Sequence, residues 1–391
     1  MLIVADENMP LLEEFFGDLG EIRRVPGRSL RAADLAGADL LLVRSVTRVD
    51  AALLAQASPR FVGSATIGTD HVDLDLLAAR GIPFASAPGC NAVAVAEYVT
   101  TVLALHAAER GGAAANLRLG VIGCGNVGRT VVPCARALGH EVAVCDPLLE
   151  AGALPAGCAA MSLDELLAWA DVLTLHVPLT RGGQHPTHHL LDQARLRAGR
   201  WQLLINTSRG AVVDNRALSQ LLEEDASRRA VLDVWEEEPA VPPGLLRRVR
   251  WGTPHVAGYS VEGKWRGTAM IYEAACRRLG ITPRTNLAAV RAARGDRPES
   301  LRWVGSLAAT LAAACDVPGD DGRLRAVVSE DRAATASAFD RLRREYRERR
   351  EFSHYRLVGL PPEPGTRERN AVAQTKTPRA VLAALGFGVA P

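Results

Sequence analysis

A glycine-rich turn between an apolar strand and an apolar helix constrains the fold more than any other feature of the sequence. Residues 123–128 read Gly-Cys-Gly-Asn-Val-Gly, which fits the pattern G-x-G-x-x-G. The strand-like run 119–122 precedes the turn, and apolar residues recur at helical spacing over 127–138. Asp146 stands at the end of the next strand-like run, 18 residues after the last glycine. Because this arrangement is typical of dinucleotide-binding βαβ units, the chain is predicted to contain one.

Each glycine of the turn has its own physical role. Gly123 permits the tight turn, Gly125 lets a pyrophosphate approach the backbone, and Gly128 allows the helix to pack closely on the strand. The free backbone N–H groups at the helix N-terminus, where Asn126 and Val127 stand, would hold the phosphates.

Asp146 indicates which dinucleotide is bound. Its carboxylate would accept hydrogen bonds from the adenosine ribose hydroxyls and would repel a 2′-phosphate. Residues 147–149 are Pro-Leu-Leu and supply no nearby cation. NAD is therefore favoured over NADP, and the alternative is a glycine turn in a Rossmann domain that binds no cofactor.

Strand-like runs alternate with helical patterns over the first 280 or so residues. In a first series the runs lie at 2–5, 40–43 and 61–63, and in a second at 119–122, 141–145, 172–176, 203–205 and 229–232. A helical pattern over 91–110 could connect the two series. Such alternation predicts an α/β fold with a doubly wound parallel sheet.

The rhythm of strands weakens after about residue 280, and arginine becomes frequent. An amphipathic helix is predicted over 299–314, and a second one carries Phe339, Leu342 and Tyr346 on one face. The Pro- and charge-rich stretch 361–376 is predicted to be an exposed loop. We interpret this part of the chain as a third domain.

Composition argues against several classes of protein. A formal net charge of +2 gives no reason to expect a nucleic-acid or membrane partner, and no run approaches the ~18 apolar residues of a membrane span. The seven cysteines are odd in number and none shows CxxC spacing, which favours reduced thiols over a disulfide framework or zinc site. The N-terminus lacks the pattern of a signal peptide, so a cytoplasmic protein is expected.

Three short motifs follow the dinucleotide turn and carry charged or titratable side chains. Arg209 lies just after the strand-like run 203–205, where it could hold a substrate carboxylate bidentately. Three consecutive glutamates, 236–238, precede Pro239, and His255 lies in the sequence Thr-Pro-His-Val-Ala-Gly at 253–258.

These residue types suit the removal of a hydride and a proton from an alcohol. Histidine can accept the hydroxyl proton because its pKa lies near neutrality, and a neighbouring carboxylate raises that pKa and selects one tautomer. Arg209 would orient the substrate and polarise its carbon–oxygen bond. The residues alone do not decide which of the three glutamates pairs with His255. Taken singly, each side chain could instead belong to a surface ion pair, a structural histidine or a solvated acidic turn.

Together the motifs resemble the D-2-hydroxy-acid dehydrogenase family over roughly residues 1–280. The resemblance implies a Rossmann NAD-binding domain, a flavodoxin-like substrate domain, and an Arg, a Glu and a His that act together. Because the family's Glu precedes a proline, the expected catalytic residues are Arg209, Glu238 and His255. The further cofactor contacts that it implies are Val177, Thr207, Ser208, Arg209 itself, Asp233 and Gly258.

Further motifs resemble the branch of this family that oxidises 4-phospho-D-erythronate, and they lie at 6–10, 43–47, 68–73, 87–92, 255–264 and 339–352. This resemblance implies oxidation at C2 to (R)-3-hydroxy-2-oxo-4-phosphooxybutanoate, an early step of pyridoxal 5′-phosphate (vitamin B6) biosynthesis. It also implies a homodimer built on the C-terminal domain, and substrate contacts at Ser45, Thr66 and Tyr259.

The expected organisation has three parts. Residues 1–95 with about 268–285 would form the substrate-binding domain, 96–267 the NAD-binding domain, and 286–391 a smaller α+β dimerisation domain. Two other functions stay open at this point. The chain could act on a similar acid, as D-3-phosphoglycerate dehydrogenase does, or it could be an NAD-sensing scaffold, although a scaffold would need none of the three catalytic side chains.

Two smaller hypotheses concern side chains outside this set. The histidines at 185, 188 and 189 and the segment 70–73 have the composition of metal ligands, but no bound metal is expected. Arg349 and Arg350 are candidates for binding the substrate phosphate, because that group requires a cation.

Overall fold

The computed structural model describes residues 1–111, 116–150, 152–362 and 376–389. The chain divides into two compact units. Unit 1 consists of Met1–Asn91 and Ser260–Arg297, and unit 2 consists of Ala92–Tyr259 and Pro298–Pro391.

Short strands alternate with helices along the described residues. The strands are β1 (Leu2–Asp6), β2 (Glu21–Val25), β3 (Leu40–Val43), β4 (Phe61–Ser64), β5 (Phe84–Ala85), β6 (Arg118–Ile122), β7 (Glu141–Cys145), β8 (Ala159–Ala160), β9 (Val172–Leu175), β10 (Leu203–Asn206), β11 (Arg229–Leu232), β12 (Trp251–Gly252), β13 (Glu299–Arg302), β14 (Tyr355–Val358) and β15 (Gly388–Val389). The α-helices are α1 (Leu12–Phe16), α2 (Leu74–Ala79), α3 (Ala92–Glu109), α4 (Asn126–Ala137), α5 (Leu163–Trp169), α6 (Gln193–Ala198), α7 (Asn215–Glu224), α8 (Pro243–Arg248), α9 (Val261–Leu279), α10 (Leu287–Ala293), α11 (Leu307–Ala314), α12 (Val317–Arg325), α13 (Arg332–Arg344) and α14 (Pro378–Ala384).

Unit 1 is built on a five-stranded sheet in the order β2-β1-β3-β4-β5, and all its strand pairs are parallel. This is the flavodoxin-like order, so the predicted fold of the N-terminal part is confirmed. Strands β3 and β4 are buried along their whole length, which explains their uninterrupted apolar sequences. In such sheets ligands bind at the carboxyl ends of the strands.

Unit 2 contains a seven-stranded parallel sheet in the order β12-β11-β10-β9-β6-β7-β8. The strand order reverses beside β6, which pairs with both β7 and β9. This is the topological switch point of a Rossmann fold, and the glycine turn leaves the sheet there. Several of its helices begin at a capping side chain, since Ser162, Asp192 and Asp214 each accept a backbone N–H of the first turn.

The C-terminal part of unit 2 adds a small parallel sheet, β13-β14-β15, and the helices α11 to α14. The predicted helix over 299–314 is wrong in its first half, because Glu299–Arg302 forms β13 and pairs with β14. Gly305, with a φ of 84°, ends the extended segment, and the Ser306 side chain caps helix α11. The apolar pattern could not reveal a strand partner more than 50 residues away. Most of the predicted loop 361–376 lies outside the described residues.

Arg349 ties this C-terminal part to the rest of unit 2. Its side chain is buried and donates hydrogen bonds to the carbonyls of Ala94 (3.1 Å) and Ala257 (2.7 Å) and to the sulfur of Cys315 (3.4 Å). The hypothesis that Arg349 binds a phosphate is therefore wrong, because its terminal nitrogens hold the α3 segment and the 257 turn together. Arg350 contacts Nδ1 of His354 at 2.8 Å.

The compact units follow boundaries different from those predicted for the domains. The chain returns to unit 1 at Ser260, the N-cap of α9, rather than near residue 268. Helix α9 is one continuous element of 19 residues, so the chain changes unit at its N-terminus and not within it. Residues 298–391 group with the Rossmann sheet in one unit, and their treatment as a separate dimerisation domain stays a prediction.

Helix α3 is long and apolar enough to cross a membrane, but 72% of it is buried inside the protein. Such burial is typical of the core helix of a globular protein. All seven cysteines are free thiols.

Two buried histidines predict how stability depends on pH. Burial, and the nearby cations Arg110 and Arg229, lower the pKa of His106 to about 4, and burial lowers that of His140 to about 4. An unfolded histidine has a pKa of about 6.5, so between these values the unfolded chain binds more protons than the folded one. This contribution to stability is fully present above about pH 6.5 and is lost as the pH falls toward 4.

The test is urea unfolding at several pH values for His140→Leu, with the exposed His185→Leu as control. We expect a shallower loss of stability at acid pH for the first variant, by up to ~1.4 kcal/mol per pH unit for the one proton removed. Parallel curves for the two variants would contradict the assignment.

Candidate active site

The glycine turn after β6 has the geometry that the motif predicts. Gly123 has a φ of 90°, and a Cβ there would lie 2.7 Å from the carbonyl oxygen of His176 and 2.7 Å from Cγ1 of Val177. A Cβ on Gly128 would lie 2.1 Å from the carbonyl oxygen of Gly123. A Cβ on Gly125, in contrast, would meet no atom within 4 Å. Gly123 and Gly128 are thus required by packing, and Gly125 leaves its side of the turn open.

Asp146 lies directly beside this turn. One carboxylate oxygen accepts the backbone N–H of Cys124 at 2.8 Å, and the other accepts that of Leu148 at 2.9 Å. Each oxygen retains a further lone pair that a ribose hydroxyl could use. Helix α4 starts at Asn126 without a capping side chain, so no side chain occupies its first N–H groups.

These observations fit NAD. An uncapped helix N-terminus would hold the pyrophosphate, the open side of Gly125 provides room for it, and Asp146 stands where the adenosine ribose would bind. His176 was not singled out from the sequence, although it directly follows β9 and its backbone lies beside Gly123. Its ring nitrogens contact the hydroxyls of Thr174 (3.0 Å) and Thr207 (3.4 Å), and burial lowers its pKa to about 3.

A buried asparagine shapes the loop that carries Arg209. The Asn206 side chain, at the end of β10, accepts the backbone N–H of Ser208 at 3.0 Å and its hydroxyl at 2.8 Å. The amide of the same side chain donates to the carbonyl of Arg209 at 2.9 Å. Because Asn206 is fully buried, residues 207–209 leave the sheet along a defined path.

The Arg209 loop is packed against the loop that follows β11. A Cβ on Gly210 would lie 1.9 Å from the carbonyl carbon of Trp235, so only glycine fits at this crossing. The Asn215 side chain bridges the two loops, since it donates to the carbonyl of Val213 at 2.9 Å and accepts the N–H of Glu236 at 3.1 Å. The position of Arg209 is thereby coupled to that of the glutamates.

The three consecutive glutamates have three different partners. Glu236 contacts Nε2 of His189 at 2.6 Å, and Glu237 forms an ion pair of 2.6 Å with Arg332. Glu238 alone reaches His255, with 2.8 Å between its Oε1 and the histidine Nδ1. The sequence alone did not show which glutamate pairs with His255. In the structure the three side chains leave the loop in different directions, and only that of Glu238 points to the histidine.

His255 is held by the backbone on one side and by Glu238 on the other. Its φ of 57° is unusual for a residue other than glycine. The buried carboxylate of Asp233 accepts the hydroxyl of Thr253 (2.6 Å) and the N–H groups of Val256 (2.8 Å) and Ala257 (2.9 Å). Asp233, predicted as a cofactor contact, therefore holds the turn that presents the imidazole.

Glu238 and His255 form a hydrogen-bonded pair of a carboxylate and an imidazole, here called the dyad. Burial acts to raise the pKa of Glu238, but the charge and hydrogen bond of His255 and the charge of Arg343 outweigh it, so the pKa is lowered. With Nδ1 directed at a carboxylate, a neutral ring would donate its N–H from Nδ1 and keep Nε2 as a hydrogen-bond acceptor.

The predicted substrate contacts are Ser45 and Thr66 in unit 1 and Tyr259 in unit 2, where Tyr259 follows the predicted cofactor contact Gly258. Ser45 is exposed just after β3, and Thr66 follows β4, where its hydroxyl contacts that of Ser64 at 2.8 Å. Both lie at the carboxyl ends of their strands, where ligands bind in parallel sheets. In unit 2, Gly258 and Tyr259 follow the Asp233-held turn, and the Tyr259 N–H donates to the carbonyl of Val256 at 2.8 Å.

Arg343 is a second residue that the sequence did not indicate. Its Nη2 donates to the hydroxyl of Tyr259 at 3.0 Å, which places it close to the dyad. Burial acts to lower its pKa, but the nearby Tyr259 and the charge of Glu238 outweigh this effect, so the pKa is raised. Within an arginine-rich stretch no local pattern distinguishes this residue from its neighbours.

The two segments with the composition of metal ligands differ in how their side chains are arranged. His188 and His189 stack at 4.1 Å and, with Glu236, bring three ligand atoms within 4.8 Å of one another, whereas His185 is exposed and takes no part in that group. In segment 70–73, Nε2 of His71 contacts Ser64 at 3.0 Å and Asp73 caps helix α2.

Two family models match separate segments of unit 2. Residues 96–257 match the family model described as "D-isomer specific 2-hydroxyacid dehydrogenase, NAD binding domain", and residues 300–369 match a domain of unknown function, DUF3410. A solved protein of Thermus thermophilus has a TM-score of 0.62 and 29% identity, covering 73% of this chain and 99% of its own. D-lactate dehydrogenase from Aquifex aeolicus, solved with NAD and lactic acid, has a TM-score of 0.57 and 24% identity, covering 72% of this chain and 96% of its own. At this level of identity the similarity concerns the fold and not the function.

Curated relatives extend the match to nearly the whole chain. Erythronate-4-phosphate dehydrogenase of Pseudomonas paraeruginosa is 49% identical over 92% of this chain and 95% of its own length. The enzyme of the same name from Marinobacter nauticus is 47% identical over 91% of this chain and 94% of its own. The chain thus belongs to the erythronate-4-phosphate dehydrogenase family of NAD-dependent oxidoreductases that act on CH–OH groups.

Proposed function

We propose that this chain oxidises 4-phospho-D-erythronate at C2, forming (R)-3-hydroxy-2-oxo-4-phosphooxybutanoate for vitamin B6 biosynthesis. The observation that carries the proposal is the 2.8 Å contact between Nδ1 of His255 and Glu238, next to the loop that bears Arg209. Relatives named for this activity, 49% identical over 92% of the chain, support the choice of substrate.

In this mechanism His255 accepts the proton of the C2 hydroxyl at Nε2. Glu238 holds the ring through Nδ1 and stabilises the imidazolium that forms. Bound NAD supplies the hydride acceptor. The loss of one proton and one hydride from C2–OH leaves the ketone, so the reaction balances.

Arg209 would bind the carboxylate next to the reacting carbon. A guanidinium can donate two parallel hydrogen bonds to a carboxylate, and its charge polarises the C2–O bond as the carbonyl forms. The Asn206 contacts and the close crossing at Gly210 support this role, because they restrict where the arginine can lie.

NAD would be held by the turn and helix start of unit 2, with Asp146 at the adenosine ribose. The proposed cofactor contacts are Gly123, Gly125, Asn126, Val127, Gly128, Asp146, Val177, Thr207, Ser208, Arg209, Asp233 and Gly258. Ser45, Thr66 and Tyr259 are the proposed substrate contacts. We further propose that the protein is cytoplasmic and forms a homodimer, and sedimentation equilibrium can test the dimer.

Steady-state kinetics of the purified chain test the function. We expect NADH formation from 4-phospho-D-erythronate with a kcat/KM at least ~10²-fold above that for D-3-phosphoglycerate. The reason is that an active site built to bind the polar groups of one substrate discriminates strongly against an acid that places those groups elsewhere. NADP should replace NAD poorly because Asp146 repels a 2′-phosphate. A preference for 3-phosphoglycerate would contradict the substrate, and NAD binding without turnover of either acid would favour a scaffold.

A further inference from the structure

Arg343 has a defined orientation beside Tyr259. Besides its hydrogen bond to the tyrosine hydroxyl, its guanidinium carbon lies 5.6 Å from the centre of the Tyr259 ring and 5.8 Å from that of Phe339. Cation–π contacts on two aromatic rings and one hydroxyl acceptor restrict a planar group strongly. Helix α13, which carries Arg343, belongs to the segment matched by the domain of unknown function.

The guanidinium of Arg343 has no carboxylate partner within ion-pair distance among the described residues. Among the described residues, the Tyr259 hydroxyl is the hydrogen-bond acceptor of the Arg343 guanidinium. The Nε of Arg343 is buried and has no acceptor among the same residues. The neighbouring arginines differ, since Arg344 pairs with Glu345 and Arg347 lies 3.8 Å from Asp320. Arg343 is half-buried, and its Nε is the nitrogen that is shielded from water. Because a charged group that is partly withdrawn from water is normally paired, a guanidinium without a carboxylate partner indicates the place of an anionic ligand.

The chemistry of the substrate requires two cationic contacts. Its carboxylate is bonded to the reacting C2, and Arg209 would bind that group. The phosphate at the other end of the molecule carries nearly two negative charges at neutral pH. Arginine matches the geometry of phosphate oxygens, and Arg343 is close enough to the dyad for its charge to lower the pKa of Glu238.

We propose that Arg343, together with the Tyr259 hydroxyl, binds the phosphate group of the substrate and selects phosphorylated acids. The inference rests on the proposed function and deepens it. It assigns to the 300–369 segment a role in substrate recognition, through a helix that the shared dehydrogenase domains do not supply.

The test compares Arg343→Met with Arg344→Met, a matched change at an exposed position of the same helix. We expect Arg343→Met to lower kcat/KM for 4-phospho-D-erythronate by about 10–150-fold, as for loss of hydrogen bonds to a charged group. The value for unphosphorylated D-erythronate, or its inhibition constant where turnover is too slow, should change by less than about 3-fold, and Arg344→Met should change neither.

Inorganic phosphate provides a readout that does not depend on turnover. It should raise the Tm of the wild-type chain and of Arg344→Met, but not that of Arg343→Met. Arg343→Lys keeps the charge and should recover part of the selectivity for the phosphorylated acid, which separates binding from a folding defect.

Equal losses on both acids would overturn the proposal, because they would mean that Arg343 only positions Tyr259 and the dyad. An unchanged kcat/KM in Arg343→Met would overturn it as well. Failure of the proposed function is distinguishable, since in that case the wild-type chain itself would not oxidise 4-phospho-D-erythronate.

Discussion

Replacing His255 with Asn is expected to lower kcat by ~10²–10⁴-fold, which is the usual contribution of a positioned general base. Asn is chosen because it tolerates the positive φ of 57° better than Ala does, so the backbone turn should persist. The lost group is Nε2, the proposed proton acceptor of a ring that Glu238 holds through Nδ1. Stopped-flow and steady-state measurement of NADH formation would quantify the loss.

The exposed His185→Asn serves as the matched control and should retain wild-type turnover. Glu238→Gln should fall between the two, because the amide still contacts the ring but no longer stabilises the imidazolium. NAD affinity and Tm should stay near the wild-type values in His255→Asn. Near-normal turnover in that variant would remove His255 as the base.

Arg209→Lys is expected to reduce kcat/KM by ~10²–10³-fold, comparable to the loss of one preorganised donor at a developing oxyanion. A lysine retains the charge but cannot form the planar two-bond contact with a carboxylate. Asn206 and the glycine crossing at 210 hold the loop in place, so the loop cannot readily move to bring a shorter ammonium group into position.

Arg216→Lys, at an exposed position seven residues further on, is the control for this change. It should leave kcat/KM within experimental error. If Arg209→Lys also keeps wild-type kinetics, then the bidentate role is excluded and another cation binds the carboxylate.

Much of the fold could be predicted because its signals are local. Strand β3 is a contiguous apolar run and β7 is apolar after Glu141, and the bounds of both strands were predicted from the sequence without error. Strand β2 was missed because Glu21, Arg23 and Arg24 are exposed and charged, and it forms because it pairs with β1. Strand β13 was predicted as helix for the same kind of reason, namely a pairing with distant β14.

The site residues likewise include some that the local sequence reveals and others that only the fold reveals. The glycine turn and Asp146 are read from one short stretch, because their spacing reflects a single βαβ unit. The partner of His255 was selected only by a family resemblance, since three adjacent glutamates are equivalent in local pattern. In the folded chain Glu236 and Glu237 face His189 and Arg332, which leaves Glu238 for the histidine.

The sequence by itself determined the cofactor turn, the order of the Arg, Glu and His motifs, and the family to which the chain belongs, because each depends on short motifs whose residues are adjacent in the chain. Only the tertiary structure decided that Asp233 holds the His255 turn, that Arg349 is buried in a structural contact, and that Arg343 lies beside Tyr259. Arg343 and Tyr259 are 84 residues apart, and no periodicity or spacing encodes a contact over such a distance. Such contacts arise when packing of the whole unit brings separate segments together.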